Sequence, residues 1–273
     1  MLSGIADMVS NMFEPTILYE DSNILAVNKP AGLVVHGDGR STSLTTGRTK
    51  ELTLTDWILK KYPKIKNVGE LSRDSKGEEI ERSGIVHRLD RETSGVMLVA
   101  KTQKSFESLK KQFQEHKIKK IYHAFVFGEI NPVRADGHRR PASNGTGTDW
   151  VTIDRPIGRS SKDFRLRSAQ RGAKGEMREA VTEYKVLKRG EGYTFVEVSP
   201  QTGRTHQIRV HFKAISYPLV GDSLYAPNRE NTLGFQRTAL HSYQITFGDL
   251  KGKFHTVMAP YPKDFEMAIN KFI

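Results

Sequence analysis

A chain of 273 residues is long enough for one large domain or two ordinary ones, with a sizeable core. Its 43 Lys and Arg against 31 Asp and Glu leave a net charge of +12 and a pI near 9.7, a balance that points to a polyanionic partner, nucleic acid above all. The absence of cysteine excludes a disulfide framework and thiolate metal sites, and residues 1–13 lack the pattern of a signal peptide or membrane span, so the chain reads as cytoplasmic with no membrane association.

In chain order, Ile17–Tyr19 and Ile24–Val27 read as short strands around the turn Glu20–Asn23. They lead into NKPAGLVVH (28–36), where Pro30 and Gly32 bend the chain beside Lys29. Residues 37–50 are a Gly-, Ser- and Thr-rich loop, and its GRTK segment (47–50) lacks the upstream glycine spacing of a phosphate loop. Thr55 is placed to cap a short helix carrying Trp57, Ile58 and Tyr62, closed by Pro63. A polar loop over 64–82 precedes GIVHRLDRETSGVMLVAK (84–101), in which Val96–Ala100 is an unbroken apolar run of the buried-strand type. Thr93, Ser94 and Gly95 supply the turn, so Asp90, between Arg88 and Arg91, stands at the mouth of a core strand.

A helix is predicted near 104–116, with Phe106, Leu109 and Phe113 on one face. In KKIYHAFVFGEI (119–130) the alternation predicts a strand with Ile121, His123, Phe125 and Phe127 on one face and Tyr122, Ala124 and Val126 on the other. Residues 134–178 form a Gly-containing insertion with eleven Lys or Arg against five Asp or Glu. Its charge fits a solvated excursion as well as a nucleic-acid contact. Strands return at 180–187 and 193–198, Thr205 is placed to cap a helix running to about Ile215, and a last strand spans 239–247. Strands and helices mix without regular alternation, which favours an α+β fold over a doubly wound sheet.

Asp90 has only Glu92 nearby as a second acid, too weak a pairing for a glycosidase. One carboxylate acting alone as nucleophile or base needs to be ionised and aimed, and a neighbouring guanidinium does both. Arg209, on the helix of GRTHQIRVH (203–211), is the better distant candidate, since Arg88 can point elsewhere. His206 and His211 lie about 140° apart around that helix, and no cysteine or His-Glu pattern joins them, so no metal site is expected.

Together HRLDRETSG (87–95), KPAGLVVH (29–36), KIYHAFVFG (120–128), PIGR (156–159), GRTHQIRVH (203–211) and PLVGDSLY (218–225) closely resemble the RluA-type pseudouridine synthases, in the family's order and from about Glu14 to the C-terminus. The resemblance implies a mixed, mostly antiparallel sheet with flanking helices and loops around a central basic cleft. It divides the chain into a tail over 1–13 and a catalytic domain over 14–273, without the N-terminal RNA-binding module that many relatives carry. It implies Asp90 as the essential carboxylate, and Tyr122 as the residue that stacks on the target ring and assists proton removal from carbon 5. Arg209 is then the arginine paired with the aspartate, and Arg88 the one that replaces the extruded uridine in the RNA stack. His87, Arg204 and His206 complete the expected substrate contacts.

The expected activity is isomerisation of specific uridines in structured ribosomal or transfer RNA, by a monomer needing no cofactor, metal or protein partner. Two rivals differ in class. A non-catalytic RNA-binding or RNA-folding protein would need the basic cleft but not Asp90, Tyr122 and Arg209 together, and a glycoside hydrolase would need a paired acid.

Overall fold

The computed structural model describes residues 14–36, 52–70, 72–73, 79–80, 83–131, 150–161, 163, 166–169 and 173–272. The tail 1–13, the loop over 37–50 with its GRTK segment, and residues 132–149 of the basic insertion lie outside these. The chain folds as two compact units, one of residues 1–118 and 244–260, the other of 119–243 and 261–273.

In the first unit, β1 (Thr16–Glu20), β2 (Ile24–Lys29) and β5 (Ser94–Ala100) pair antiparallel in that spatial order. The turn between β1 and β2 is closed by the Asp21 carboxylate, which accepts from the N–H groups of Asn23 and Ile24. Every residue of β5 is buried, as its unbroken apolar run requires. Two-residue strands β3 (Ser72–Arg73) and β4 (Glu79–Ile80) pair within the stretch read as loop. Helix α1 (Leu54–Lys61) is capped by Thr53, not Thr55. Asp56, three residues on, completes a reciprocal capping box with Thr53, while the Thr55 hydroxyl donates to the Val35 carbonyl. Helix α2 (Gln103–Gln114) buries Phe106 and Leu109 as predicted.

The second unit centres on β6 (Lys119–Phe127), the long strand whose two faces the alternation separates. Antiparallel pairing runs from β6 to β12 (Tyr193–Pro200), then β11 (Val181–Gly190), then β7 (Val151–Asp154). Ala124 and Val126 pack with Ile208 and Phe212 of helix α3 (Gln207–Ala214). Phe125 and Phe127 pack on the opposite face with Phe265, Ala268 and Phe272 of helix α4 (Lys263–Phe272), which the sequence reading passed over. At eight residues α3 is too short to hold itself, and packing stabilises it.

The basic insertion is partly built as strands. Its β8 (Ile157–Arg159) lies between β10 (Lys174–Arg178) and β9 (Arg167–Ser168) in a small antiparallel sheet. Ile157 anchors this sheet by packing with Ala180, Val210 and Tyr225. Strand β13 (Leu240–Gly248) begins in the second unit and ends in the first, where it pairs with β14 (Phe254–Met258). The strand predicted as last is therefore followed by another strand and a helix. No helix among the described residues is long and apolar enough to cross a membrane.

Candidate active site

Asp90 occupies the turn that enters β5, half-buried, between exposed Arg88 and exposed Arg91. Its own carbonyl accepts from Thr93 N–H at 3.1 Å, closing the turn. The main anchor is Lys29, whose side chain is fully buried. Its ammonium donates to the carbonyls of Pro30 (2.9 Å), Leu33 (2.8 Å) and Arg91 (3.1 Å), so the three protons of the group meet three acceptors. A buried ammonium costs several kcal/mol unless so satisfied. Gly32 N–H, on a residue at φ +86°, also donates to the Arg91 carbonyl at 2.8 Å. The KPAG loop and the HRLD turn are thus stitched together immediately beside Asp90.

His87 braces the same turn against the core. Its Nε2 accepts the Leu98 N–H at 2.9 Å and its ring lies 4.7 Å from that of Phe113. Arg88 reaches out, with Nη1 3.4 Å from Nε2 of His36.

In the second unit Tyr122 stands half-buried on β6, opposite Val198 of β12 and packed against the face that carries Ala124 and Val126. Lys120, two residues earlier and so on the same face, donates to the Thr202 carbonyl at 3.4 Å. Burial pushes its ammonium down to about 8.

Arg209 is buried on α3 and makes a bidentate pair with buried Asp222, Nε to Oδ2 at 2.7 Å and Nη2 to Oδ1 at 2.8 Å. Asp222 also accepts the N–H groups of Leu224 and Tyr225, each at 3.0 Å. The Tyr225 ring lies 5.1 Å from the guanidinium carbon, and its hydroxyl is 3.0 Å from His206 Nδ1. Asp222 belongs to the VGDSLY stretch, where Gly221 sits at φ +68° and a Cβ would meet the Arg237 carbonyl oxygen at 2.1 Å. Only glycine fits there, and that constraint places the carboxylate. The motif reading passed over Asp222, although a carboxylate directly after such a glycine was the available signal.

The start of α3 also differs from expectation. His206, not Thr205, is the N-cap residue, at φ +56° and with no side-chain cap bond. Gln207 does the bonding there. Its carbonyl oxygen accepts from the Thr202 hydroxyl (2.7 Å) and Arg204 N–H (2.9 Å), and its amide donates to Val181 O and Thr182 Oγ1. Arg204 Nε donates to the Glu179 carbonyl at 3.0 Å. His211, buried, bonds Thr182 Oγ1 and the Arg155 carbonyl, each at 2.9 Å, and burial lowers its pKa. It is a core histidine. Among the described residues no three His, Asp or Glu side chains are grouped so as to hold a metal ion.

The structure thus brings His87, Arg88 and Asp90 into one pinned turn of the first unit. In the second it sets Arg204, His206 and Arg209 on one loop and helix, and Tyr122 on β6. Lys29 and Asp222, which hold these groups, are the residues sequence reasoning missed.

The family model described as RNA pseudouridylate synthase matches residues 23–214. An uncharacterised RNA pseudouridine synthase of Bacillus subtilis is 35% identical over 266 residues, which cover 97% of this chain and 75% of the relative. The ribosomal large subunit pseudouridine synthase D of Pseudomonas aeruginosa is 37% identical over 264 residues, covering 92% of this chain and 70% of the relative. Among solved structures, human RNA pseudouridylate synthase domain containing 4 shares the fold, with a TM-score of 0.66 at 22% identity over 98% of this chain and 95% of that one. The mixed, mostly antiparallel α+β fold and the match over 23–214 agree: this chain belongs to the RNA pseudouridylate synthase family and is an isomerase.

Proposed function

We propose that the chain isomerises particular uridines of structured ribosomal or transfer RNA, with Asp90 as its catalytic carboxylate. The reaction breaks the bond from carbon 1′ to N1, turns the base, and forms a bond from carbon 1′ to carbon 5. The proton on carbon 5 leaves and N1 gains one, so atoms and electrons balance without a cofactor. A single ionised carboxylate suffices as nucleophile or base. Tyr122 supplies a ring for the base to stack on and a hydroxyl to assist the carbon-5 proton. Arg209, aimed by Asp222, provides fixed positive charge for the ionised acid. Arg88, exposed on the Asp90 turn, takes the place of the base drawn out of the RNA stack, offsetting an extrusion cost of a few kcal/mol. Arg204 and His206 contact the RNA, and His87 supports binding by bracing the turn. All of these groups come from one chain, and we take the working unit to be a monomer in the cytoplasm, alongside those RNAs.

The observation that carries this reading is how the reactive groups are held. Asp90 sits on a turn pinned by a fully buried lysine, and Arg209 on a bidentate pair with a fully buried aspartate. Such fixtures preorganise charge before substrate arrives. Mapping pseudouridines in total RNA from cells with and without the gene tests it. Loss of one or a few discrete pseudouridines, restored by the parent gene, is the expected result. Identical maps would contradict it.

A further inference from the structure

The small sheet of the second unit carries a charge arrangement that isomerisation does not require. Arg159 of β8 stands directly opposite Lys174 of β10 on one side and Arg167 of β9 on the other. Directly paired residues project from the same face, so three cations form a row across three strands, about 5 Å from strand to strand. Like charges directly opposite destabilise a sheet. Folding gains nothing from this row.

A pocket of about 540 Å³ is lined by Arg159, Arg167, Arg178 and Arg204, with Glu176 the only acid and three glycines among the described residues of its walls. Arg178 is exposed and bridges to Glu176 at 3.2 Å, and Arg204 is held by the Glu179 carbonyl. Among the described residues, no hydrogen bond or ion pair engages the guanidinium of Arg159 or Arg167. Pockets of this volume usually have apolar and aromatic walls. Among the described residues of the lining, Ile157 is the one large apolar side chain and no aromatic ring is present, so charge and not apolar area dominates the walls. Planar guanidinium forks suit phosphate oxygens. The Gly203–Thr205 wall runs directly into α3, so an anion held here is fixed relative to the helix that carries Arg209.

We infer that this pocket binds consecutive phosphates of the substrate RNA, giving affinity and register without reading sequence. The inference rests on RNA being the substrate, as proposed above. The shared chemistry is the phosphate group, and a free phosphate compound is the competing source.

The test compares Arg159→Gln/Arg167→Gln with a charge-matched control, Lys251→Gln/Lys253→Gln, and with Arg159→Lys/Arg167→Lys. Affinity for a stem-loop RNA is measured from about 50 to 300 mM salt, and the single-turnover rate at saturating RNA. Losing one or two phosphate contacts should flatten the salt slope of the Gln variant by about one to two units, since each contact contributes roughly 0.7 to 0.9. The saturated rate should stay within about twofold and the Lys variant should recover most of the slope. The thermal midpoint of the Gln variant should be unchanged or raised, because opposed like charges are gone. A slope change no larger than the control's would overturn the inference, as would a fallen saturated rate with unchanged affinity. Loss of inorganic pyrophosphate or uridine monophosphate binding with RNA binding intact would reassign the pocket to a small anion. If the parent protein binds RNA without forming pseudouridine, the proposed activity fails while the slope comparison still decides the pocket.

Discussion

Around Asp90 the fixtures are main-chain carbonyls gathered by one buried ammonium, that of Lys29. Around Arg209 they are side chains: the Asp222 carboxylate, the Tyr225 ring, and the Gln207 amide that ties the start of α3 to β11. A loop offers few side chains but many unpaired carbonyls, so a lysine with three donors is the economical clamp for a turn. A helix has satisfied its interior carbonyls already and is positioned through what its side chains meet. The two regions should therefore fail differently when their anchors are removed.

The largest effect is expected at the side-chain anchor. Asp222→Ala strands a buried guanidinium and should cost about 3–5 kcal/mol in denaturant unfolding, because removing one partner leaves the other's desolvation uncompensated. Arg209→Met combined with Asp222→Leu should recover most of that stability while leaving no activity. A double variant as unstable as Asp222→Ala would show that the pair contributes through something other than its charges.

At the main-chain anchor the loss should be smaller and more local. Lys29→Met retains much of the buried stem, takes the ammonium from the Pro30 and Leu33 carbonyls and leaves the Arg91 carbonyl its bond from Gly32 N–H, for a cost of about 2–3 kcal/mol. Amide exchange should rise across residues 30–33 and 88–93 before it rises in β5. Uniform acceleration throughout the first unit would mean that Lys29 holds the core and not the turn.

The smallest effect tests a charge beside Tyr122 that the second unit keeps against its own stability. Lys120 has its folded pKa lowered to about 8 by burial, so the unfolded chain binds the extra proton between there and its ordinary value of 10.5. Stability should accordingly rise with pH through that window and be lowest below pH 8. Lys120→Met should be more stable than the parent at pH 7 by about 1–2 kcal/mol, the roughly 3 kcal/mol of the charge penalty being partly offset by loss of the bond to the Thr202 carbonyl, and the advantage should shrink towards pH 10. A constant difference across that range would place the effect in packing and not in charge.

Much of this was legible beforehand for identifiable reasons. The apolar run Val96–Ala100 has no polar interruption, and both faces of the alternating strand 119–127 are buried, so each pattern had a single structural reading. In β10 every residue is exposed and β9 is two residues long, which leaves no periodicity to read. β14 exposes Phe254 and Met258, so apolar residues there do not mark a core face. Helix α4 did carry a signal, with Phe265, Ala268 and Phe272 at helical spacing. At the site, HRLD and GRTHQIR carry the groups proposed here to react, whereas their anchors were hidden by base rates. Lysine and aspartate are almost never fully buried, so Lys29 in a KPAG bend and Asp222 in a GDS turn both read as surface.

The most direct test of the account is single-turnover pseudouridine formation by Asp90→Asn, on a stem-loop RNA that the parent modifies, with binding measured on the same RNA. The amide keeps the shape of the carboxylate and removes its charge. The expected result is no detectable product with an affinity within about threefold of the parent, a difference under 1 kcal/mol. Turnover near the parent rate would contradict the assignment of the chemistry to Asp90.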